Sequence, residues 1–145
     1  MPEKISDEDF KYVYSRVPRA CVDLVIETPQ GLVLVKREDP PDVGAWSFPG
    51  GGVRFQESVE EAVKRIARRE LGVEVEPVRV IGYDEYLHEP REIGEAHSIA
   101  IMITANIVAG TLTPSETVSM FKVLPDNMIK IHKDALNKFW APQSN

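Results

Sequence analysis

The alternation of apolar and polar positions along the chain predicts a mixed set of strands and helices. Over residues 6–15, Phe10, Val13 and Tyr14 fall on one face of a short helix. Ser6 serves as its N-cap, and Asp7, Glu8 and Asp9 suit the positive helix start. Residues 20–28 are rich in Val and Ile and read as a strand. Pro29-Gln30-Gly31 signals a turn, and 32–37 read as the returning strand of a hairpin. Two prolines and a glycine make 38–45 a loop. A short strand at 46–48 ends at Pro49.

The helix with the clearest period covers 57–71, where Val59, Ala62, Val63, Ile66 and Ala67 form the apolar stripe and Gly72 is a natural stop. Strands are predicted over 78–87, 98–108 and 120–124, with a polar loop at 88–96 and another loop at 111–117. A last amphipathic helix covers 126–140, with Met128, Ile131, Ala135, Leu136 and Phe139 inward. The order is helix, hairpin, strand, helix, strands, helix, which predicts an α/β (α+β) domain with helices packed on a mixed β-sheet.

Composition narrows the function classes. The 145 residues suit a single domain over 1–145, with 43% hydrophobic and 28% charged residues. A formal net charge of −6 excludes a general basic footprint for nucleic acid, so an anionic ligand has to be met by local arginines or a metal ion. The single cysteine, Cys21, allows no intrachain disulfide. No apolar run is long enough for a membrane helix and no signal-peptide pattern opens the chain, so a cytoplasmic protein is expected.

The candidate chemistry starts at "FPGGGVRFQES", residues 48–58. Glycines tolerate unusual backbone angles and let a ligand approach the main chain, and their carbonyls suit a hard cation. The bland alternative is a strained turn before a helix. Glu57 lies six residues after Gly51, Arg65 eight after Glu57, and Glu70-Leu71-Gly72 closes the segment. At about 100° per residue, Ile66, Arg69 and Glu70 share one sector, which places the Glu70 carboxylate beside the apolar stripe.

Together these residues resemble the Nudix box, G-x5-E-x7-R-E-U-x-E-E-x-G-U, over about 51–73. Gly51, Glu57, Arg65, Glu70 and Gly72 fit it, with Ala67 and Val73 at aliphatic positions. Ile66 and Arg69 stand where two metal-binding glutamates belong. The resemblance implies a Nudix-type α/β/α sandwich that hydrolyses a nucleoside diphosphate linked to another group, usually with Mg²⁺. The two departures imply a site for one hard cation rather than a multi-metal cluster, with Mn²⁺ as a possible substitute.

A box lacking the same two glutamates is found in the GDP-mannose mannosyl hydrolases, which the chain also resembles in "EDF" at 8–10, "VDLVIE" followed by "VKR", and "GAWSFPGG". In that subfamily water attacks the anomeric carbon of the sugar and GDP departs. Carried over, the resemblance implies that the Gly50 carbonyl and Glu70 bind the metal, that Arg37 and Arg65 stabilise the diphosphate, that Asp23 lies near the substrate, and that His88 assists the leaving group. In "PSETVSMF", Glu116 takes the place of a further metal ligand, and Thr117 stands where the subfamily has its general-base histidine. Threonine is no base near neutral pH, so the base is sought among Glu89, Glu92, Glu95, His97 and Glu116.

The expected catalytic set is thus Glu70, Arg65, Arg37, His88 and Glu116, acting on a nucleoside diphosphate-linked small molecule with neither nucleic acid nor membrane as partner. Two alternatives stand beside attack at carbon. One is attack at phosphorus in a substrate such as ADP-ribose. The other is a Nudix-fold domain that binds a nucleotide without turnover. His132 on the last helix is read as a surface or satisfied structural histidine. Trp46 and Trp140 are read as packing residues, although Trp46 could also stack on a nucleobase. Phe10 and Tyr14 either cover the core or serve a homodimer interface.

Overall fold

The computed structural model describes residues 4–39, 42–91 and 94–140. Helix α1 (Asp7–Tyr14) starts as expected at Ser6, whose hydroxyl accepts from the Asp9 N–H. It leads into β1 (Arg19–Val25), which stops short of Ile26. A separate two-residue strand, β2 (Glu27–Thr28), then turns into β3 (Gly31–Lys36). Next come β4 (Trp46–Ser47) and β5 (Gly50–Gly52), followed by α2 (Val59–Leu71), β6 (Glu74–Arg91), β7 (Gly94–Ala109), β8 (Val118–Phe121) and α3 (Lys130–Phe139).

Two four-stranded sheets result. In the first, the order is β5-β1-β7-β6; β1 runs parallel to β7, and the outer pairings are antiparallel. In the second, β2 and β4 pair with the two ends of β3, and β8 pairs with the middle of β3 along its other edge. The mixed sheet is therefore present, with helices on both of its faces.

Side-chain alternation in β1 sorts the two cores. Val22, Leu24 and Ile26 point toward α2 and join Val63, Ile66 and Ala67 in one cluster. Val25 points the other way and joins Phe48, Met102, Met128 and Leu136 under α3. Asp23 shares the face of Val25, which aims a carboxylate at the α3 side.

Helix α2 has strong ends. Ser58 caps it in a reciprocal box with Glu61, and Gly72 closes it in the left-handed region at φ 67°. Helix α3 starts later than the periodicity implies, because residues 127–129 are drawn into pairing with β4: Trp46 N–H donates to Asn127 O, and Ile129 N–H to Trp46 O.

Two segments expected as loops are strands. Residues 50–52 form β5 against β1. The segment expected as a polar loop at 88–96 continues the β6–β7 hairpin out to Arg91 and Gly94. Its charged and polar residues pair as strands, which sequence polarity alone does not separate from a loop. No helix among the described residues is long and apolar enough to cross a membrane.

Candidate active site

The glycines lie in regular extended backbone: Gly50, Gly51 and Gly52 are absent from the residues with positive φ, so they relieve no strained angle. What they supply is space. A Cβ on Gly50 would stand 2.6 Å from Val22 O and 2.7 Å from Asp23 Oδ1, and one on Gly52 would overlap the Arg19 guanidinium. That guanidinium also lies 4.8 Å from the Phe10 ring centre, which docks α1 beside the cavity.

The β1–β5 register sets the direction of the backbone groups. Leu24 N–H donates to Pro49 O and Val53 N–H to Ala20 O, so Val22 and Gly51 form the hydrogen-bonded pair between them. Gly50 and Gly52 therefore turn their N–H and C=O groups off the sheet edge toward α2. Gly52 O is taken by Arg65 Nη2 at 2.9 Å. The Gly50 N–H donates to the Glu70 carboxylate, and its carbonyl faces the same side.

Glu57 and Arg65 form a buried clamp between loop and helix. Arg65 Nε donates to Glu57 Oε2 at 2.7 Å and Nη2 to Oε1 at 2.9 Å, while Arg54 N–H donates to Oε1 at 3.0 Å. The arginine holds Glu57 below the usual carboxylate range. Arg65 was expected to stabilise a diphosphate. With Nε and Nη2 committed to the protein, its work here is to join the box loop to α2, and only Nη1 is left for a ligand.

Glu70 is the box carboxylate that reaches the cavity. Burial raises it, partly offset by Arg69, whose Nη2 lies 3.1 Å from Oε1, and by the Gly50 N–H. Ile66 is fully buried in the α2 core, and Arg69, half exposed, lines the cavity and pairs with Glu70; neither side chain carries an oxygen that could serve as a metal ligand. The Glu70 carboxylate, with Arg69 as its present counter-charge, lies next to an outward-facing carbonyl; these oxygens fit one divalent hard cation, and the donor set fits no metal cluster. The residues that would hold it are Glu70 and Gly50.

These groups open onto a cavity of about 750 Å³ between the sheets. Arg37 lines it from the end of β3, with Nη2 3.9 Å from Glu89 Oε1, and Asp23 lines it from β1. His88 and Glu116 do not reach the wall; both are exposed. The register shift between Tyr86 and Glu89 is the reason for the first, since it turns both of those side chains inward and His88 out. The second follows from the pairing of Thr117, whose carbonyl accepts from Lys36 N–H, so that Thr117 rather than Glu116 faces the cavity.

Among the bases weighed from sequence, Glu89 is buried on the wall. His97 lies off the main cavity beside Phe10 and Tyr14, Glu92 lies outside the described residues, and the Glu95 side chain is likewise not described. Trp46 packs edge-on against Phe121 in the α3 core, away from the cavity.

Sequence reasoning placed Asp23 near the substrate but missed Asp84 and His132, which meet it at the cavity floor. His132 is buried, not solvated: it stacks on Phe48 at 4.7 Å, and its Nδ1 accepts the Phe48 N–H at 3.1 Å. Its Nε2 lies 3.4 Å from Asp23 Oδ2 and 3.9 Å from Asp84 Oδ2. Because Nδ1 is an acceptor, the ring is neutral with its proton on Nε2. Burial, helped by Arg37, pushes His132 down to about 3. Burial raises both carboxyls, Asp23 well above the ordinary value, and the neighbouring Asp84 raises Asp23 further. Asp23, Asp84 and His132 lie close enough to suggest a metal site. A histidine whose Nε2 carries the proton has no lone pair to give there; it presents that N–H toward the two carboxyls instead. The helical period contained the signal, since 128, 132, 135, 136 and 139 follow one stripe.

Comparison with known proteins identifies the family. The low-salt glycan biosynthesis protein Agl8 of Haloferax volcanii is 33% identical over 102 residues, covering 70% of this chain and 65% of that protein. The ADP-ribose pyrophosphatase of Methanocaldococcus jannaschii is 33% identical over 103 residues, covering 70% and 59%. The chain therefore spans less than two thirds of either relative. Among solved structures, the MutT NUDIX hydrolase from Burkholderia pseudomallei superposes with a TM-score of 0.70 at 26% identity, over 84% of this chain and 98% of that one. The family model described as NUDIX domain matches residues 17–138, and the chain belongs to that family.

Proposed function

We propose that the protein is a Mg²⁺-dependent hydrolase of a nucleoside diphosphate-linked substrate, a nucleotide-sugar such as GDP-mannose, cleaved by attack of water at the sugar carbon. The observation that carries this reading is the box helix, which offers one carboxylate, Glu70, beside the outward Gly50 carbonyl, with Ile66 buried and Arg69 paired to Glu70 on the cavity wall. When bound, one divalent ion supplies positive charge that offsets a departing diphosphate.

The chain's own residues do the rest. Arg37, one-fifth exposed on the cavity wall, lies where it can share the charge that develops on the leaving oxygen. Glu89, held beside Arg37 and within 3.4 Å of the Ser98 hydroxyl, is the wall carboxylate assigned to take the proton of the attacking water. In this reaction the bond from the anomeric carbon to the diphosphate oxygen breaks with its electron pair on that oxygen, and a bond from water oxygen to carbon forms.

A second reading, attack at phosphorus, is favoured by the relative named an ADP-ribose pyrophosphatase. Hydrolysis of a nucleotide-sugar panel in ¹⁸O-water separates the two. Label in the free sugar supports attack at carbon, and label in a phosphate refutes it. Glu70→Gln is expected to abolish metal-dependent turnover while nucleotide still binds. Nucleotide binding by the unaltered protein with no product from any substrate would leave a binding domain.

A further inference from the structure

The mechanism above leaves unused the most deeply buried polar atoms of the cavity. Both carboxylate oxygens of Asp84, Asp23 Oδ2 and the Tyr86 hydroxyl are buried, and none has a hydrogen-bonding partner of ordinary geometry in the protein. The Asp84 side chain is 1% exposed. Even a proton shared between the two carboxyls would satisfy only one oxygen of each and leave the second Asp84 oxygen and the Tyr86 hydroxyl unmet.

An unmet buried polar atom costs about 1–3 kcal/mol, and several converging on one cavity wall need an explanation. Asp84 and Tyr86 are two apart on β6 and face the same side. Asp23 comes from β1, and His132 closes the group from α3.

The chemistry of the atoms selects the ligand class. An anion would meet two carboxyls. A cation would find the His132 nitrogen already carrying its proton, because Nδ1 accepts from Phe48. Neutral hydroxyl groups both donate and accept, so they satisfy carboxyl oxygens and a phenol together. Arg37 and Glu70 lie on the same cavity, so a hydroxyl-rich group can sit at the floor while its diphosphate lies against them.

We propose that Asp84 and Tyr86, with Asp23 held in place by His132, form a hydroxyl-binding subsite for the glycosyl group of a nucleoside diphosphate-sugar. The proposal rests on the nucleotide-sugar reading and adds the residues that tell one sugar from another. Tyr86 and Asp84 act as specificity-determining contacts, separate from the metal and leaving-group machinery.

The test compares the wild-type protein, Tyr86→Phe and Asp84→Asn. Initial rates give kcat/KM for nucleoside diphosphate-sugars and their monodeoxy-sugar analogues, and calorimetry gives Kd for the free nucleoside diphosphate with Mg²⁺. Both variants are close in shape to the native side chain, and the amide introduced by Asp84→Asn can still donate to Asp23. The expected result is a fall of tenfold or more in kcat/KM for the parent sugar. The nucleoside diphosphate Kd should stay within twofold, which also reports an intact fold. For the analogue lacking the contacted hydroxyl, wild type and variant should converge.

Parallel loss of nucleoside diphosphate affinity would overturn the subsite and leave the nucleotide-sugar reading standing. Equal losses for every deoxy analogue would overturn it as well, by marking a general structural effect. A fall in Mn²⁺ affinity of Asp84→Asn, measured by electron paramagnetic resonance without nucleotide, would convert the group into a metal site and refute the proposal. If wild type turns over no nucleotide-sugar while it hydrolyses another diphosphate, the broader reading fails, and the sugar subsite with it.

Discussion

His132 offers the sharpest test of the electrostatics, because its hydrogen bond and its burial point the same way. Its Nδ1 accepts the Phe48 N–H at 3.1 Å, so in this orientation the ring cannot take a second proton without breaking that bond. Burial holds it down at about 3, against 6.5 for an ordinary histidine. The folded state therefore binds fewer protons than the unfolded chain. The stability is present above pH 6.5 and is lost as pH falls through that value toward 3. The slope is roughly 1.4 kcal/mol per pH unit, for a full effect of about 5 kcal/mol.

His132→Asn isolates this contribution. The Asn oxygen can replace Nδ1 as acceptor for Phe48, but it does not titrate. Loss of the stacked ring should make the variant about 2–4 kcal/mol less stable at neutral pH. Urea unfolding at pH 7, 6, 5 and 4 should then show the gap to wild type narrowing by roughly 3 kcal/mol between pH 6 and pH 4. A gap that holds constant, or widens on acidification, would refute the reasoning. Widening is the result required by the opposite arrangement, an imidazolium paired with an ionised Asp23.

Asp23 titrates with the opposite sign. Its raised carboxyl contributes stability below the unfolded value of 3.8 that is lost as pH rises through the folded value, so Asp23→Asn should gain on wild type between pH 4 and pH 8 in urea midpoints; a flat difference would count against a buried carboxyl pair. Arg65→Ala strands Glu57, whose side chain is 1% exposed, and should cost about 3–5 kcal/mol in the same assay; a loss under 1 kcal/mol would show the clamp to be solvated. Gly50→Ala places a methyl group 2.6 Å from the backbone oxygen of Val22, which cannot rotate away, so β5 must shift; about 1–3 kcal/mol of stability should go, and unchanged thermal melting would refute the close approach.

The fold was legible where one interaction dominated a segment. The α2 stripe, its Gly72 stop and the turn into β3 follow from periodicity and turn chemistry, which act over a few residues, whereas the strand expected over 20–28 divides: only β2 forms the hairpin with β3, and β1 pairs with β5 and β7. Errors arose where a partner distant in sequence decided the conformation. Three glycines look like a flexible loop until β1 supplies hydrogen bonds that make them a strand. A run of charged residues after Leu87 looks like a loop until its neighbour in the hairpin pairs with it. Likewise, the box arithmetic identified Glu57, Arg65 and Glu70 but could not divide the labour among them. That division follows from which carbonyls the β1–β5 register turns outward, and Gly52 O draws Arg65 into the protein.

The cavity floor was illegible for a different reason. Asp23, Asp84 and His132 come from β1, β6 and α3; Asp23 was expected near the substrate, but Asp84 alone carries no signal and His132 alone reads as a surface or satisfied structural histidine. Their meeting depends on the face that β1 turns toward α3 and on the helical stripe that puts position 132 where a leucine would pack. A stripe with histidine in an apolar place implies either a loss of stability or a bonded partner, and the Phe48 N–H is that partner. The proton on Nε2 then faces carboxyls, and those carboxyls face a cavity with oxygens unmet. A fold under selection for stability alone would gain by filling these positions with Leu and Val. Their position on the wall that also carries Glu70 and Arg37 places the cost where a ligand can offset it.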